Sequence, residues 1–275
     1  MPTFKFKENE IYYEVHGEIK DNPPLLILNG IMMSTKSWAP FIKPLSLENQ
    51  VILVDFLDQG ASSKLTNQDY KQDIQVEVVL SLIKVLDLDK VNLLGISYGG
   101  EVAIQFAVKH QDYINKLLLF NTAASTNAWL HDIGRAWIDV AKTYNAEAFY
   151  NVCIPVIYSP NFYNANIDWM NNRRELLKEA FNKSFLDAMV RLIKSAEGYD
   201  QSSEINTIYV PTLIAGAEQD YLTPLGEQEY LYQNIKQSNF VKIPECGHAS
   251  MYEQPDVFIS LVKGFINAGP SVKIV

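Results

Sequence analysis

Six short apolar runs spread along the chain constrain its fold more than any other feature. They are Leu25–Leu28, Val51–Val54, Val91–Leu94, Lys116–Phe120, Thr212–Ala215 and Phe240–Ile243. The first stops at Asn29-Gly30, and others stop at Asp55, Gly95, Gly216 and Pro244. Runs this short, without polar alternation, suit strands buried on both faces. Between them the spacing turns helical. Ile74, Val78, Leu82 and Val85 lie on one face, and Glu101–His110 carries Val102, Ile104, Phe106 and Ala107. After Pro255, the residues Val257, Leu261 and Phe265 predict one buried stripe of a last helix. Ahead of the runs, Phe4 and Phe6 alternate with lysines and Ile11–Val15 follows a polar turn, so two further strands are expected. Strands alternating with helices predict an α/β fold, a mostly parallel twisted sheet flanked by helices.

The segment 125–205 breaks this rhythm. It is rich in aromatic residues and asparagine, with Trp129, Ile133 and Trp137 at helical spacing and a second stripe of Leu176, Leu177, Ala180 and Phe181. It is too long for one crossover. We expect residues 1–124 and 206–275 to form the core, and 125–205 a helical cap inserted between two core strands. A chain of 275 residues accommodates this as one large domain with an insertion.

The balance of 48% hydrophobic and 20% charged residues is that of a globular protein, and a net charge of −9 argues against nucleic acid as a partner. No run of apolar residues reaches the length of a membrane span. The start, Met-Pro-Thr-Phe-Lys-Phe-Lys, has no basic stretch leading into an apolar one, and Cys153 and Cys246 form no metal-binding or CxxC pattern. A cytoplasmic protein with reduced thiols and no metal is expected.

Gly95-Ile96-Ser97-Tyr98-Gly99 sits between an apolar strand and a helix. G-x-S-x-G carries meaning only in that strand–turn–helix context. The turn is so tight that the residues two before and two after the serine must be small, and it presents the hydroxyl at the strand's end beside a helix N-terminus. Ser97 is therefore the candidate nucleophile. It needs a base, and the base needs an orienting group. Of the four histidines, His16 lies in an early strand, His110 ends a helix and His131 lies in the insertion. His248 follows a buried strand and precedes the last helix, which makes it the candidate base. Asp220, beyond the end of Thr212–Ala215, is the candidate orienter, with Glu218 as its rival. The oxyanion donors are expected from the amide of Tyr98 and, in the turn after Leu25–Leu28, from Ile31, with Met32 second. Met32, Trp129, Trp137 and Phe162 are the expected walls of a substrate pocket.

The landmarks resemble the α/β-hydrolase superfamily along nearly the whole chain. Asn29-Gly30 with Ser37-Trp38 is similar to its oxyanion turn, and Asp55, Gly60, Ser62 and Ser63 to the segment after its next strand. Gly95–Gly100 is similar to its nucleophile elbow, Gly216, Asp220, Thr223 and Pro224 to its acid loop, and Gly247-His248 with Glu253, Pro255 and Phe258 to its histidine loop. Two positions depart: the usual His before Gly is Asn29, and the usual Gly-His pair before Gly60 is Asp58-Gln59. The resemblance implies acyl chemistry on a small-molecule substrate without a cofactor. A serine at the elbow sets the chain apart from the relatives that use Asp there, the haloalkane dehalogenases and epoxide hydrolases. Hydrolysis of a carboxylic ester or thioester is the leading expectation. Acyl transfer to a hydroxyl or thiol is the alternative, since Asn29-Gly30-x-Met32-x-x-Thr35 also resembles the acyltransferases of rhamnolipid biosynthesis. A non-catalytic binding protein on the same fold is the third.

Overall fold

A computed structural model describes residues 2–19, 22–66 and 68–269. Residues 1, 20, 21, 67 and 270–275 of the expected core ranges lie outside the described residues. Among the described residues eight strands form one sheet: β1 (Thr3–Phe6), β2 (Asn9–His16), β3 (Leu25–Leu28), β4 (Val51–Val54), β5 (Val91–Ile96), β6 (Ile114–Phe120), β7 (Thr212–Ala217) and β8 (Ser238–Ile243). Their order is β1-β2-β4-β3-β5-β6-β7-β8. β1 and β2 run antiparallel at one edge, and β3 to β8 pair parallel.

The helices are α1 (Ala39–Ser46), α2 (Asp73–Val85), α3 (Tyr98–His110), α4 (Ala128–Ala141), α5 (Ala146–Cys153), α6 (Pro160–Ala165), α7 (Ile167–Ala180), α8 (Lys183–Ala196), α9 (Leu225–Asn234), α10 (Ser250–Glu253) and α11 (Pro255–Asn267). None is long and apolar enough to cross a membrane. Successive residues of a strand face opposite ways, and this divides the core in two. Leu26 and Leu28 of β3, with Ile52 and Val54 of β4, pack with α2 and α3. Leu25, Ile27, Val51 and Leu53 pack on the other face with α1 and α11. Each such side chain, buried on both sides of the sheet, contributes roughly 1.5–3 kcal/mol.

The last helix corrects one expectation. Its buried stripe is Phe258, Val262 and Ile266, while Val257 is 39% exposed and Leu261 and Phe265 are only partly covered. Both stripes are apolar at i, i+4 spacing, so periodicity alone does not tell which one meets the sheet. Phe258 decides it by nesting against Phe41, Phe120 and Trp38.

Helices α4 to α8 lie between β6 and β7 and share their own apolar cluster, built on Trp137, Phe149, Tyr150, Met170 and Phe181. Leu176 stands outside it, 71% exposed. The two ends of this helical segment are stitched together at its neck. Thr126 N donates to Tyr199 O at 2.9 Å and Gln201 N to Ala124 O at 2.8 Å. On the far side, Ala249 N donates to Ile157 O at 3.0 Å, holding the segment to the loop after β8.

Strand order reverses where β3 lies between β4 and β5. In an open parallel sheet, ligands bind beyond the strand C-termini at such a switch point. Leu28 is paired with Gly95 across that boundary, so the turn after β3 and the elbow after β5 leave the sheet side by side.

Candidate active site

Ser97 has φ 54° and ψ −124°, a conformation that costs a non-glycine residue on the order of 1–3 kcal/mol. Its neighbours hold it there. Its amide donates to Phe120 O at 3.0 Å, and its carbonyl accepts from Thr122 Oγ1 at 2.9 Å and from the Gly100 amide at 2.7 Å. Glycines are needed on both sides because a Cβ on Gly95 would collide with the Gly99 carbonyl, and one on Gly99 with the Leu28 carbonyl. The Ser97 Oγ makes no hydrogen bond among the described residues and opens onto a cavity of about 1160 Å³, whose wall also holds His248.

His248 is tied to Asp220, with Nδ1 to Oδ2 at 2.8 Å. The aspartate is buried and surrounded by donors. Its Oδ1 accepts from the amides of Leu222 at 2.8 Å and Thr223 at 3.0 Å, and its Oδ2 from Thr223 Oγ1 at 2.9 Å and Asn121 Nδ2 at 3.0 Å. Burial pushes the Asp220 carboxyl up. The electrostatic attraction to His248 and these hydrogen bonds more than offset it and hold the group below the usual carboxylate range. Glu218 is engaged elsewhere, at 2.7 Å from Lys242 Nζ and accepting from the Glu245 amide. His16 pairs with Glu14, His110 lies against the Phe106 ring, and His131 is on the cavity wall beside Asp132.

Gly30 to Met33 form a turn closed by Met33 N donating to Gly30 O at 3.1 Å. The amides of Ile31 and Tyr98 have no partner among the described residues, so each is free to donate to a ligand. Gln59, in place of the expected His, clamps this turn from behind. Its Nε2 donates to Gly30 O at 2.9 Å and Ile31 O at 3.3 Å. Asn29, the other departure, is fully buried and joins adjacent elements: it donates to Val54 O at 2.8 Å and accepts from Trp38 Nε1 at 2.7 Å.

Residues 23–255 match the family described as alpha/beta hydrolase fold. The chain belongs to that family. It is similar to MGS-M2, an alpha/beta hydrolase enzyme from a Medee basin deep-sea metagenome library, with 44% identity, a TM-score of 0.97 and all of both chains covered. It is 24% identical to the putative carbamate hydrolase RutD of Azorhizobium caulinodans, over 96% of this chain and 98% of that protein. It is also 23% identical to 3-oxoadipate enol-lactonase 1 of Acinetobacter baylyi, over 90% of this chain and 89% of that protein. The protein is a hydrolase of the α/β-hydrolase family.

In this α/β-hydrolase the cavity brings together most of the residues singled out from sequence. Ser97, His248, Ile31, Tyr98, Met32, Trp137 and Phe162 all line it. Trp129 is placed differently. It is 55% exposed, is not on this wall, and its Nε1 donates to Tyr221 O at 2.7 Å. Sequence reasoning missed Asn121, which sits at φ 47° at the end of β6, donates to Asp220 and accepts from Ser250 Oγ at 2.7 Å. A polar residue at the C-terminal end of a central parallel strand was the signal that could have found it.

Asp58, at a position where the family resemblance leads us to expect glycine, stands at φ 69°. Arg191 of α8 holds it with two bonds, Nε to Oδ2 at 3.0 Å and an Nη to Oδ1 at 2.6 Å. The Asp58 side chain is wholly buried and that of Arg191 14% exposed. Removing one partner of such a pair strands a buried charge, so Arg191→Met is expected to lower stability by about 3–5 kcal/mol. In urea unfolding, Asp58→Gly combined with Arg191→Met should recover most of that loss, since glycine tolerates the backbone. A double variant no more stable than Arg191→Met would show that the pair does not account for the effect.

Glu101, in the first turn of α3, also reaches the cavity wall and is buried. Burial pushes its carboxyl up to about 8, against the lowering by a 2.6 Å hydrogen bond from Gln72. The unfolded chain would release this proton near the ordinary carboxylate value, so stability falls as pH rises from about 4.5 to about 8. Glu101→Gln keeps an acceptor for Gln72 and abolishes the titration. It should match the parent near pH 4 and exceed it by several kcal/mol near pH 9, because each tenfold gain in proton affinity on folding is worth about 1.4 kcal/mol. Parallel stability–pH curves for the two proteins would refute the assignment.

Proposed function

We propose that the protein hydrolyses a carboxylic ester or thioester through an acyl-enzyme. Ser97 attacks the carbonyl carbon. His248 accepts the serine proton and returns it to the leaving group. Asp220 holds the imidazole with its Nδ1 proton inward, so that Nε2 faces the substrate. The Ile31 and Tyr98 amides stabilise the oxyanion. Water, activated by His248, then releases the acid. Helices α4 to α8 serve as a cap that covers the acyl group and limits water. One observation carries this reading: a strained serine on an elbow and a histidine anchored to a buried aspartate line one cavity, beside two unpaired amides.

The relatives add support. A carbamate and an enol-lactone share a carbonyl carbon with a heteroatom leaving group, the feature this mechanism requires. The test is a fluorophosphonate probe followed by a panel of 4-nitrophenyl esters and acyl-thioesters of graded length. Labelling at Ser97 with turnover of one class supports the proposal. Folded protein that takes no label and turns over nothing favours a binding protein. Faster partition of the acyl group to an added alcohol than to water favours acyl transfer.

A further inference from the structure

Arg173 of α7 lines the same cavity as Ser97 and His248. Its guanidinium lies 4.7 Å from the ring centroid of Tyr252 and 5.1 Å from that of Trp169. These rings belong to a wall of aromatics. Tyr158 stacks on Phe162 at 5.6 Å, and Trp169 meets both edge-on at 5.9 and 5.7 Å. The Nε of Arg173 is buried without a partner.

The chain has four arginines. Arg191 is paired with Asp58, Arg135 lies 3.8 Å from Asp132, and Arg174 lies over the Tyr150 ring at 4.8 Å. Among the described residues neither Arg173 nor Arg174 has a carboxylate within 4.0 Å, and each carries a buried Nε without a partner, but of the four only Arg173 lines the cavity. The acidic groups of the cavity do not serve it. Glu253 accepts from Ser159 N, Ser159 Oγ and Gly247 N. Glu101 is held by Gln72, and Glu197 and Asp256 are exposed.

A half-buried cation with unused donors, set in an apolar wall, is incompletely compensated. Two ring faces return only part of that cost. The flat fork of a guanidinium matches a carboxylate through two parallel bonds. Lys36, also on the wall, is exposed, so the half-buried charge is that of one guanidinium, which balances a single negative charge and fits a carboxylate better than a phosphate.

We propose that Arg173 is the receptor for a carboxylate carried by the substrate, so that the acyl group cleaved at Ser97 bears a second, anionic end. The natural substrate class is then a monoester or lactone of a dicarboxylic acid. This rests on the hydrolase reading above and names its substrate. The apolar rings flank the stem between the two ends, and the guanidinium fixes the distal end. The anchored carboxylate sets how far the scissile carbonyl lies from the elbow.

The test compares 4-nitrophenyl monoesters of dicarboxylic acids, from succinate to suberate, with the same esters methylated at the far carboxyl. At the length that spans the cavity, the free acid should be preferred by roughly tenfold or more in kcat/KM, through KM. Arg173→Gln should bring that ratio near one, and Arg173→Lys should restore part of it. A ratio near one in the parent at every length overturns the proposal. So does a ratio that survives Arg173→Gln, which would leave Arg173 a structural pin between two rings. If no ester is turned over, calorimetric titration of the dicarboxylates themselves decides. Binding lost in Arg173→Gln upholds the receptor while the hydrolase reading fails, and no binding overturns the receptor as well.

Discussion

Ser97→Ala is expected to lower turnover of any acyl substrate by about 10⁴-fold or more while leaving the fold in place. The substitution removes only Oγ, which no hydrogen bond among the described residues engages. The backbone interactions that impose φ 54° are untouched, and alanine has the same Cβ as serine. The free amides of Ile31 and Tyr98 remain, so substrate should still bind. The measurement is burst kinetics with a 4-nitrophenyl ester, alongside thermal unfolding of both proteins. Loss of burst and turnover at an unchanged unfolding midpoint is the expected result. Turnover near that of the parent would sink the nucleophile assignment. A large drop in unfolding midpoint would mean that the elbow needs the hydroxyl for structure.

Asp220→Asn is expected to cost about 10⁴-fold in kcat, and the hydrogen bonds around the carboxylate say why. The Oδ1 faces two backbone amides, Leu222 and Thr223, which donate and cannot rotate. In the variant the side-chain oxygen must take that place, which turns the new NH2 toward His248 Nδ1. The imidazole is then fixed with its lone pair on Nδ1 and its proton on Nε2, the form that cannot accept a proton from Ser97. The same NH2 would meet donors from Asn121 and Thr223, so stability should fall as well. Glu218→Gln serves as the comparison. Glu218 lies on an ion pair with Lys242, away from the cavity, and its loss should leave turnover near that of the parent. If Glu218→Gln is the damaging change and Asp220→Asn the mild one, the orienting group has been misassigned.

Much of this protein follows from local rules. The eight strands, the parallel sheet and the elbow at Ser97 were legible because each depends on a few neighbouring residues: apolar runs of strand length, glycines where a Cβ would strike a carbonyl, and a helix opening after the serine. Other features were decided only by the assembled fold. The stripe Val257, Leu261, Phe265 is as apolar as its neighbour, and only packing on Phe41 and Phe120 turned Phe258 inward. Trp129 and Trp137 share one helical spacing, yet one lies outside and the other on the cavity wall. Asp220 and Glu218 are two residues apart, and their separation into an anchored carboxylate and a surface ion pair depends on Asn121, Thr223 and Lys242. Arg173 carries no sequence signal at all, being one of two adjacent arginines in a polar helix. The physical reason is range. A turn or a strand is specified within a few residues, where sterics act. The partner of a buried charge is chosen among groups brought together from across the chain, as Asn121 is to Asp220 over 99 residues and Asp58 to Arg191 over 133.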